Sequence, residues 1–308
     1  MQHIPVLTKE VITALSPSPN ENFIDCTVGQ GGHARLILER TAPNGKVLGI
    51  DLDPVQIVSA GILKANYTDR IILVNDSYTN VKEIIERNKF EFIDGILLDL
   101  GMSSRQLEGE QKGFSFQVDQ GLDMRYNDET NYLTAEKIVN EWPEERLEQI
   151  IREYGEEKFS RKIAKNIVER RKQGRIKTTF ELVEIIKDAT PSAYWSRSAG
   201  RGSSIKSGHS KIHYATRTFQ ALRIAVNDEL ENVKKVLPDA VDVLKQNGRL
   251  VVISFHSLED RIVKEFFKKA EKEKLIKILT KKPIIASSKE LGENPRARSA
   301  KLRVAIKL

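Results

Sequence analysis

The first hundred residues alternate short apolar runs with amphipathic stretches. Strands are predicted at residues 23–27, 46–51, 71–74 and 93–99, and helices at 56–66 and 80–88. Alternation of this kind predicts an α/β fold, in which a parallel sheet carries helices on both faces. Ligands in such sheets bind beyond the carboxyl ends of the strands, so the residues at those ends are candidates for a binding site.

The alternation stops near residue 105 and resumes after residue 214. The intervening pattern is loop and helix, with helices predicted at 134–140, 144–153, 159–172 and 180–188. One long amphipathic helix is predicted over Ala215–Val236, and strand patterns return at 248–255, 275–280 and 302–307. A sheet that is interrupted and then resumed indicates an inserted domain. We expect residues 1–104 and 215–308 to form one domain, and residues 105–214 to form an inserted all-helical domain.

A glycine-rich turn, Asp25-Cys-Thr-Val-Gly-Gln-Gly-Gly-His33, separates the first strand from a helical segment. Such a turn lets backbone N–H groups and a helix N-terminus approach a cofactor. Its G-x-G-x-x-A spacing also satisfies the dinucleotide fingerprint, and a tight turn without a ligand has the same pattern. Two features favour S-adenosylmethionine: Asp25 suits an ammonium group, and His33 stands where a diphosphate needs a small residue. Asp51, at the tip of the second strand, is placed to accept hydrogen bonds from an adenosine ribose.

Composition narrows the class of protein. The chain has 308 residues, a net charge of +7 and a pI near 9.2, which permits a polyanionic partner. Cys26 is the only cysteine, so no internal disulfide forms and a cytoplasmic location is expected. No signal peptide is visible and no apolar run approaches the ~18 residues of a membrane span, so no membrane partner is expected. The five histidines show no metal-ligand spacing, and no metal is expected. A homodimer is one expected oligomeric state.

Two segments of the predicted insertion are strongly basic. Lys158–Lys177 holds nine Lys and Arg against one acid, Glu169, and Ser196–Lys211 holds four basic residues and no acid. Such clusters either form a solvated surface or contact the phosphates of a nucleic acid. The second explanation makes candidate substrate-binding residues of Arg170, Arg171 and Lys172.

A second motif ends the fourth strand, in Asp94-Gly-Ile-Leu-Leu-Asp-Leu-Gly-Met-Ser-Ser-Arg-Gln106. Many methyltransferases that act on amines place Asp or Asn there, followed by two prolines, to hold the target amine. Asp99 is present here and the prolines are absent, so Asp99 is a candidate catalytic residue or a cofactor contact. Downstream, Phe114 and Phe116 either stack on substrate bases or fill a gap between the domains. Arg125, which belongs to an Asp/Arg pair near the same cleft, is a further candidate substrate-binding residue.

These motifs together resemble one family. The chain is similar to the bacterial ribosomal RNA small-subunit methyltransferase H family, formerly called MraW, in stretches spread over nearly its whole length: His3–Leu7, Asp25–His33, Gly49–Pro54, Asp94–Gln106, Gly113–Phe116, Leu122–Arg125, Tyr154–Phe159, Ala215–Ile224, Ile253–Ile262 and Glu293–Ser299. Two departures lie on the substrate side. Ile212-His-Tyr-Ala215 stands where His-Pro-Ala is usual, and the basic loop 196–211 is longer than in many members.

The resemblance implies a Rossmann-like class I methyltransferase sheet, S-adenosylmethionine as cofactor, and an inserted domain that recognises RNA. It implies methylation of the exocyclic amine, at ring position 4, of a cytidine in the decoding region of 16S rRNA, within the small ribosomal subunit or its precursor. Tyr78 stands where Phe is common and keeps a flat face for adenine. Carried over by motif, the cofactor contacts fall on Gly31, Gly32, His33, Asp51, Tyr78, Asp99 and Gln106.

Two hypotheses apply to His256, which ends the resumed strand. It is a candidate catalytic residue beside the target base. Alternatively it belongs to a helix entry, because Ser257 and Asp260 resemble a capping box.

Two other protein classes stay open from the residues alone. A nicotinamide-dependent oxidoreductase would share the glycine turn, but it needs a diphosphate site and a proton relay. A non-catalytic ribosome-assembly binding protein would keep the basic insertion, but it does not need the glycine turn and Asp51 together.

Overall fold

Seven strands form one sheet in the order β3-β2-β1-β4-β5-β7-β6 in a computed structural model that describes residues 5–103, 112–191 and 213–308. The strands are β1 (Asn22–Asp25), β2 (Val47–Asp51), β3 (Ile71–Asn75), β4 (Ile93–Asp99), β5 (Leu244–Ser254), β6 (Ile276–Ile278) and β7 (Lys301–Lys307). The first five are parallel, and β7 runs antiparallel between β5 and β6. This confirms the predicted α/β, Rossmann-like class I methyltransferase sheet.

The helices of the described residues are, in chain order, α1 (Thr8–Leu15), α2 (Gly32–Arg40), α3 (Pro54–Ala60), α4 (Leu63–Tyr67), α5 (Val81–Asn88), α6 (Ala135–Glu141), α7 (Glu144–Glu153), α8 (Ser160–Arg171), α9 (Thr179–Ala189), α10 (Thr216–Asn227), α11 (Glu229–Val243), α12 (Ser257–Lys272) and α13 (Ser288–Glu293). The four helices predicted within 134–188 are confirmed to within two residues. None of the helices in the described ranges is both long and apolar enough to cross a membrane.

Alternate residues of each central strand face opposite sides of the sheet. One side packs under α5, α11 and α12 and includes Ile24, Leu48 and Ile96. The other packs under α1 and α2 and includes Phe23, Val47 and Leu97. Because both faces are covered, the strands are apolar throughout, and their polar residues lie at the strand ends.

The chain divides into two compact units. The sheet unit contains residues 1–102 and 230–308, and the helical unit contains residues 103–229. The second boundary therefore lies after α10, fifteen residues later than the predicted boundary at 214/215. The apolar face of α10 packs on α6 and α7 of the helical unit, a tertiary contact that periodicity does not reveal.

The single long helix predicted over Ala215–Val236 is wrong. The structure has two helices, α10 and α11, separated at Asp228, whose φ of 51° lies in the left-handed region. Asp tolerates this conformation better than most residues. Each of the two helices has its own buried apolar stripe, and the apolar period therefore continues across the break. For this reason the sequence pattern does not reveal the turn at Asp228.

Candidate functional site

Three carboxylates lie at neighbouring strand ends. Asp25 ends β1, Asp51 ends β2 and Asp99 ends β4. Because β1 is paired with both β2 and β4, the three ends meet at the carboxyl edge in the centre of the sheet. The glycine turn and the start of α2 leave β1 at the same place. The structure thus brings together the predicted residues Gly31, Gly32, His33, Asp51 and Asp99, whereas Gln106 lies outside the described residues.

The backbone of the glycine turn holds Asp51. Its Oδ2 accepts a hydrogen bond from the N–H of Gly29 (2.9 Å), and its Oδ1 accepts one from the N–H of Asp53 (3.0 Å). Burial raises the pKa of Asp51 to about 7, although these two backbone donors act in the opposite direction. Each carboxylate oxygen has a second lone-pair site, so both oxygens can also accept from a ribose hydroxyl.

Tyr78 follows β3, in a 3₁₀ turn over Tyr78–Asn80. The N–H of Asp76 donates to the carbonyl oxygen of Asp51 (3.1 Å), which joins the ends of β3 and β2. The Tyr78 ring is half-buried against the apolar cluster of the sheet. A half-exposed ring at the strand end next to Asp51 suits an adenine face. The Asp76 carboxylate is already occupied, by Asn80 and by Arg87 (each 2.9 Å).

His33 lies beside two of the carboxylates. Its Nε2 is 3.5 Å from Oδ2 of Asp99. Burial lowers the pKa of His33, but Asp99, through a hydrogen bond and its charge, and Asp25 outweigh burial, so the pKa is raised above its usual value. Burial also raises the pKa of Asp25 to about 6, against the opposing charge of His33. Two carboxyl groups face one imidazole, an environment that favours a cationic ligand.

Thr27 connects the turn to β4. Its N–H donates to Oδ1 of Asp25 (3.2 Å), and its Oγ1 accepts from the N–H of Asp99 (2.7 Å). With the bonds to Asp51, these contacts join the ends of β2, β1 and β4 in one network.

Asp99 Oδ1 tests whether the site fits S-adenosylmethionine. This oxygen is buried and accepts no hydrogen bond from any residue in the described ranges. Leaving a buried acceptor without a donor costs about 1–3 kcal/mol. A bound group with an N–H is therefore expected there, and the ammonium group of S-adenosylmethionine is such a group. The residues present fit this cofactor.

The two predicted glycines shape the turn. Gly31 has a φ of 83°, and a Cβ there would overlap the side chain of Leu63. A Cβ on Gly32 would overlap Pro5. The absence of side chains is thus explained by packing. The N–H of Gly31 already donates to the carbonyl oxygen of Val28 (2.7 Å). A ligand would therefore meet the N–H of Gly32, at the start of α2, which has no intrahelical acceptor.

His256 caps a helix. It is the N-cap residue of α12: its Nδ1 accepts from the N–H of Glu259 (3.4 Å), and its own N–H donates to Oε2 of Glu259 (3.3 Å). The Nε2 lies 3.1 Å from Oε1 of the same residue. The capping box predicted at Ser257 and Asp260 is therefore wrong by one residue. Asp260 instead pairs with Arg303 (2.7 Å). The imidazole is hydrogen-bonded to Glu259 through Nδ1, and Nε2 makes no hydrogen bond within the described residues. The capping bonds favour the helix-entry hypothesis.

The aromatic candidates lie in the helical unit and differ in exposure. Phe114 is only 5% exposed and stacks on Tyr126 at 5.5 Å between ring centroids. It has no free face for a base, so its predicted role in substrate binding is not supported. Phe116 is half-buried, stacked on His213 (4.5 Å) with the edge of Phe219 at 5.4 Å.

Arg125 is occupied within its own loop. Its Nε and one Nη bind the two oxygens of Asp123, both at 2.7 Å, and its other Nη donates to the carbonyl oxygen of Asn131 (2.8 Å). Nearly all of its donor capacity is used, so the predicted substrate contact is not supported. The sequence spacing showed the Asp/Arg pair, but it did not show that Arg125 and Asp123 bind each other.

The predicted basic trio has three different environments. Arg171 donates to the carbonyl oxygens of Val139 (3.0 Å) and Trp142 (2.7 Å), which are structural bonds. Arg170 lies 3.8 Å from Glu181, and Lys172 lies 2.9 Å from Glu169. The loop 196–211 lies outside the described residues.

Four other cations of the same segment are exposed and make no ion pair within the described ranges. Three of them lie on α8, and the fourth precedes it by two residues. Lys165 lies four residues after Arg161 and three after Lys162, which places these three on one face of α8, and Lys158 lies in the turn before it. We call this set the basic stripe: Lys158, Arg161, Lys162 and Lys165. The spacing was visible in the sequence, but only the structure shows which cations have acidic partners.

Comparison with known proteins decides the family. The model of the MraW methylase family matches residues 1–308. The chain belongs to the MraW methylase family. Members of this family use S-adenosylmethionine as the methyl donor, in agreement with the acidic strand ends.

Similar proteins carry the name ribosomal RNA small subunit methyltransferase H. The protein of Thermotoga neapolitana is 47% identical over 305 residues, 98% of this chain and 95% of its own. That of Heliobacterium modesticaldum is 44% identical over 322 residues, 99% of this chain and 98% of its own. Among solved structures, an rRNA methylase of Streptococcus thermophilus aligns over 100% of this chain and 99% of its own, with 9% identity and a TM-score of 0.45. So distant a likeness carries no weight beside the family match.

Proposed function

We propose that this MraW family methylase transfers a methyl group from S-adenosylmethionine to the exocyclic amine, at ring position 4, of a cytidine in the decoding region of 16S rRNA. The names of the relatives support a small-subunit rRNA substrate. The observation that carries the proposal is the acidic edge formed by Asp25, Asp51 and Asp99 around the glycine turn. It matches a cationic adenosine cofactor, and three carboxyl groups at one edge disfavour a diphosphate.

The chain's own residues supply binding and alignment. Asp51 accepts the two ribose hydroxyls, and Tyr78 stacks on the adenine. Asp25 and Asp99 hold the ammonium end, with Oδ1 of Asp99 as its acceptor. When bound, S-adenosylmethionine supplies a methyl group on a sulfonium, which is a good leaving group. The enzyme therefore mainly has to place the amine in line with the methyl carbon, and such alignment contributes roughly 7–11 kcal/mol.

Asp99 lies where the cofactor and the target amine would meet. The cytosine amine is a poor nucleophile because its lone pair is delocalised into the ring. A carboxylate near it stabilises the positive charge that develops on nitrogen as the N–C bond forms and the S–C bond breaks. His33 keeps the Asp99 carboxylate oriented, through the 3.5 Å contact with Oδ2. The methylated nitrogen then loses a proton to solvent water, which gives the neutral methylated base.

The helical unit offers the RNA surface in this proposal. The basic stripe presents four exposed cations that make no ion pair in the described ranges, which suits a phosphate backbone. Phe116 is the remaining aromatic candidate near a base. Neither assignment involves Arg125, Arg171 or Phe114, whose side chains the structure commits elsewhere.

The test uses small ribosomal subunits from cells that lack this protein. Purified protein and S-adenosylmethionine should add one methyl group to one cytidine, and mass spectrometry of rRNA digests locates it. Calorimetry should show binding of S-adenosylmethionine and no binding of NAD. Methylation of a different base or of a ring carbon would refute the proposed target. Binding of NAD alone would indicate the oxidoreductase class instead.

A further inference from the structure

A second basic surface lies in the sheet unit, on α12 and the edge strand β6. A groove of about 270 Å³ is lined by Lys264, Lys268 and Lys281, with Phe267 and Ile278 among the residues of its wall. We call it the basic groove. The cofactor edge described above does not include any of these residues.

The acids near the basic groove are already committed. Glu271 accepts a hydrogen bond from the N–H of Ile278 (2.8 Å). Asp260, below the groove, binds Arg303 (2.7 Å) and Lys301 (3.3 Å). The three groove lysines are exposed and make no ion pair in the described part of the chain. Glu271 also lines the groove, but one carboxylate against three lysines leaves an excess of positive charge there.

The sequence around the groove concentrates this charge. Arg261–Lys282 contains nine Lys and Arg and three Glu, in a chain whose net charge is +7. Lys264, Lys268 and Lys272 recur at i, i+4 and i+8, a spacing that sets like charges side by side and slightly destabilises a helix. A solvated helix would gain from acids at these positions.

Two structural explanations account for only part of the pattern. Cations favour the last turn of a helix, which explains Lys269 and Lys272 but not Lys264, eight residues before the end of α12. Lysines also protect edge strands from pairing with another chain, which explains Lys277 on β6. Neither explains lysines from two elements converging on one concave surface.

We propose that the basic groove binds the phosphate backbone of the substrate rRNA, as a contact additional to the basic stripe. The proposal rests on the proposed function for its choice of RNA. A groove with a cationic rim and an apolar wall fits a nucleic-acid strand, because lysine stems pack on apolar surface while their ammonium groups reach phosphates. Edge strand β6 lies three strands from β4, about 14 Å across the sheet. One rRNA segment can therefore contact the groove while its target base reaches Asp99.

The experiment measures binding of an unmodified 16S rRNA transcript at several KCl concentrations. The test variant replaces the three groove lysines together: Lys264→Gln, Lys268→Gln and Lys281→Gln. A second variant changes the same positions to Arg, which keeps the charge. The matched control removes three exposed lysines that are scattered elsewhere on the sheet unit: Lys46→Gln, Lys64→Gln and Lys89→Gln. S-adenosylmethionine affinity and thermal melting should be unchanged in all of them.

The salt dependence decides the proposal. Loss of three phosphate contacts should reduce the slope of log K against log [KCl] by about 2 in the Gln groove variant. The Arg variant should keep the wild-type slope, and the scattered control should change it by much less. Equal slopes in the groove variant and the control would overturn the proposal and leave the groove as a solvated surface. If wild-type protein binds the transcript but methylates no subunit, the proposed function fails while the slopes still decide the groove.

Discussion

Replacing Asp51 with Asn tests the cofactor site most directly. Asp51→Asn keeps the shape of the side chain and one acceptor oxygen, but it turns the other oxygen into a donor. In the wild type, the backbone N–H groups of Gly29 and Asp53 bind the carboxylate at 2.9 and 3.0 Å. The new donor of the variant must face one of these two N–H groups or a ribose hydroxyl. At least one charge-assisted hydrogen bond is lost, worth about 1.5–3 kcal/mol. S-adenosylmethionine binding should weaken roughly ten- to a hundred-fold.

The pH dependence gives an independent readout. The pKa of Asp51 is raised to about 7 by burial, so the carboxyl group is largely protonated at pH 6 and ionised at pH 8. Ribose hydroxyls donate to the ionised form, so binding at pH 6 must first release a proton. Wild-type affinity should therefore rise from pH 6 to pH 8, and Asp51→Asn should lose the part of this rise that Asp51 contributes.

Titration calorimetry at pH 6, 7 and 8 measures both effects. Asp76→Asn is the matched control, because this carboxylate follows the adjacent strand but is occupied by Asn80 and Arg87. The control should change affinity by less than about twofold, since the Asp76 carboxylate bonds to Asn80 and Arg87 and is not assigned to the ligand. If Asp51→Asn binds like wild type at all three pH values, Asp51 does not hold the ribose and the proposed site is wrong.

Substitutions at Asp99, in the basic stripe and at His256 test the other assignments. Asp99→Asn should slow single-turnover methyl transfer at saturating cofactor by more than about tenfold, over about 1.4 kcal/mol of barrier, with unchanged rRNA affinity; a normal rate would leave Asp99 a structural residue. Neutralising the three α8 cations of the basic stripe should flatten the salt dependence of rRNA binding, whereas neutralising Lys172, which is paired with Glu169, should not. Similar effects of the two changes would contradict the assignment of the basic stripe as an RNA surface. His256→Ala should lower the free energy of unfolding by about 1 kcal/mol, and His256→Asn should restore most of it. Methyl transfer by the folded variants should persist. Loss of methyl transfer in a stable His256→Asn variant would restore the catalytic hypothesis.

The strands and their terminal carboxylates could be predicted from sequence because both have local causes. A strand buried on both faces reads as an apolar run, and its first polar residue marks its end, as Asp51 and Asp99 do. The helices of the helical unit were predictable for the same reason, since each shows its own apolar period. The fold class and the meeting of the glycine turn with Asp51 and Asp99 follow from these local patterns.

The partners of individual side chains could not be predicted in the same way. Arg171 and the stripe residue Arg161 look alike in sequence, yet one bonds to backbone carbonyls of Val139 and Trp142 and the other is free of ion pairs in the described ranges. Phe114 and Phe116 also look alike in sequence, yet Phe114 is buried against Tyr126 and Phe116 is half-buried against His213. Such differences depend on contacts between residues far apart in the chain, which no window of sequence contains.

The Thr27 network has a consequence for how the cofactor binds. Because Thr27 holds the carboxyl group of Asp25 and the backbone of Asp99, and Gly29 and Asp53 hold the carboxyl group of Asp51, two of the three acceptors are held in place by folding itself. Binding therefore needs little ordering of these side chains, and little conformational entropy is lost when the ligand arrives. Thr27→Val keeps the shape of the side chain and removes the hydroxyl acceptor. It should make the entropy of S-adenosylmethionine binding less favourable, although Thr27 itself need not touch the ligand.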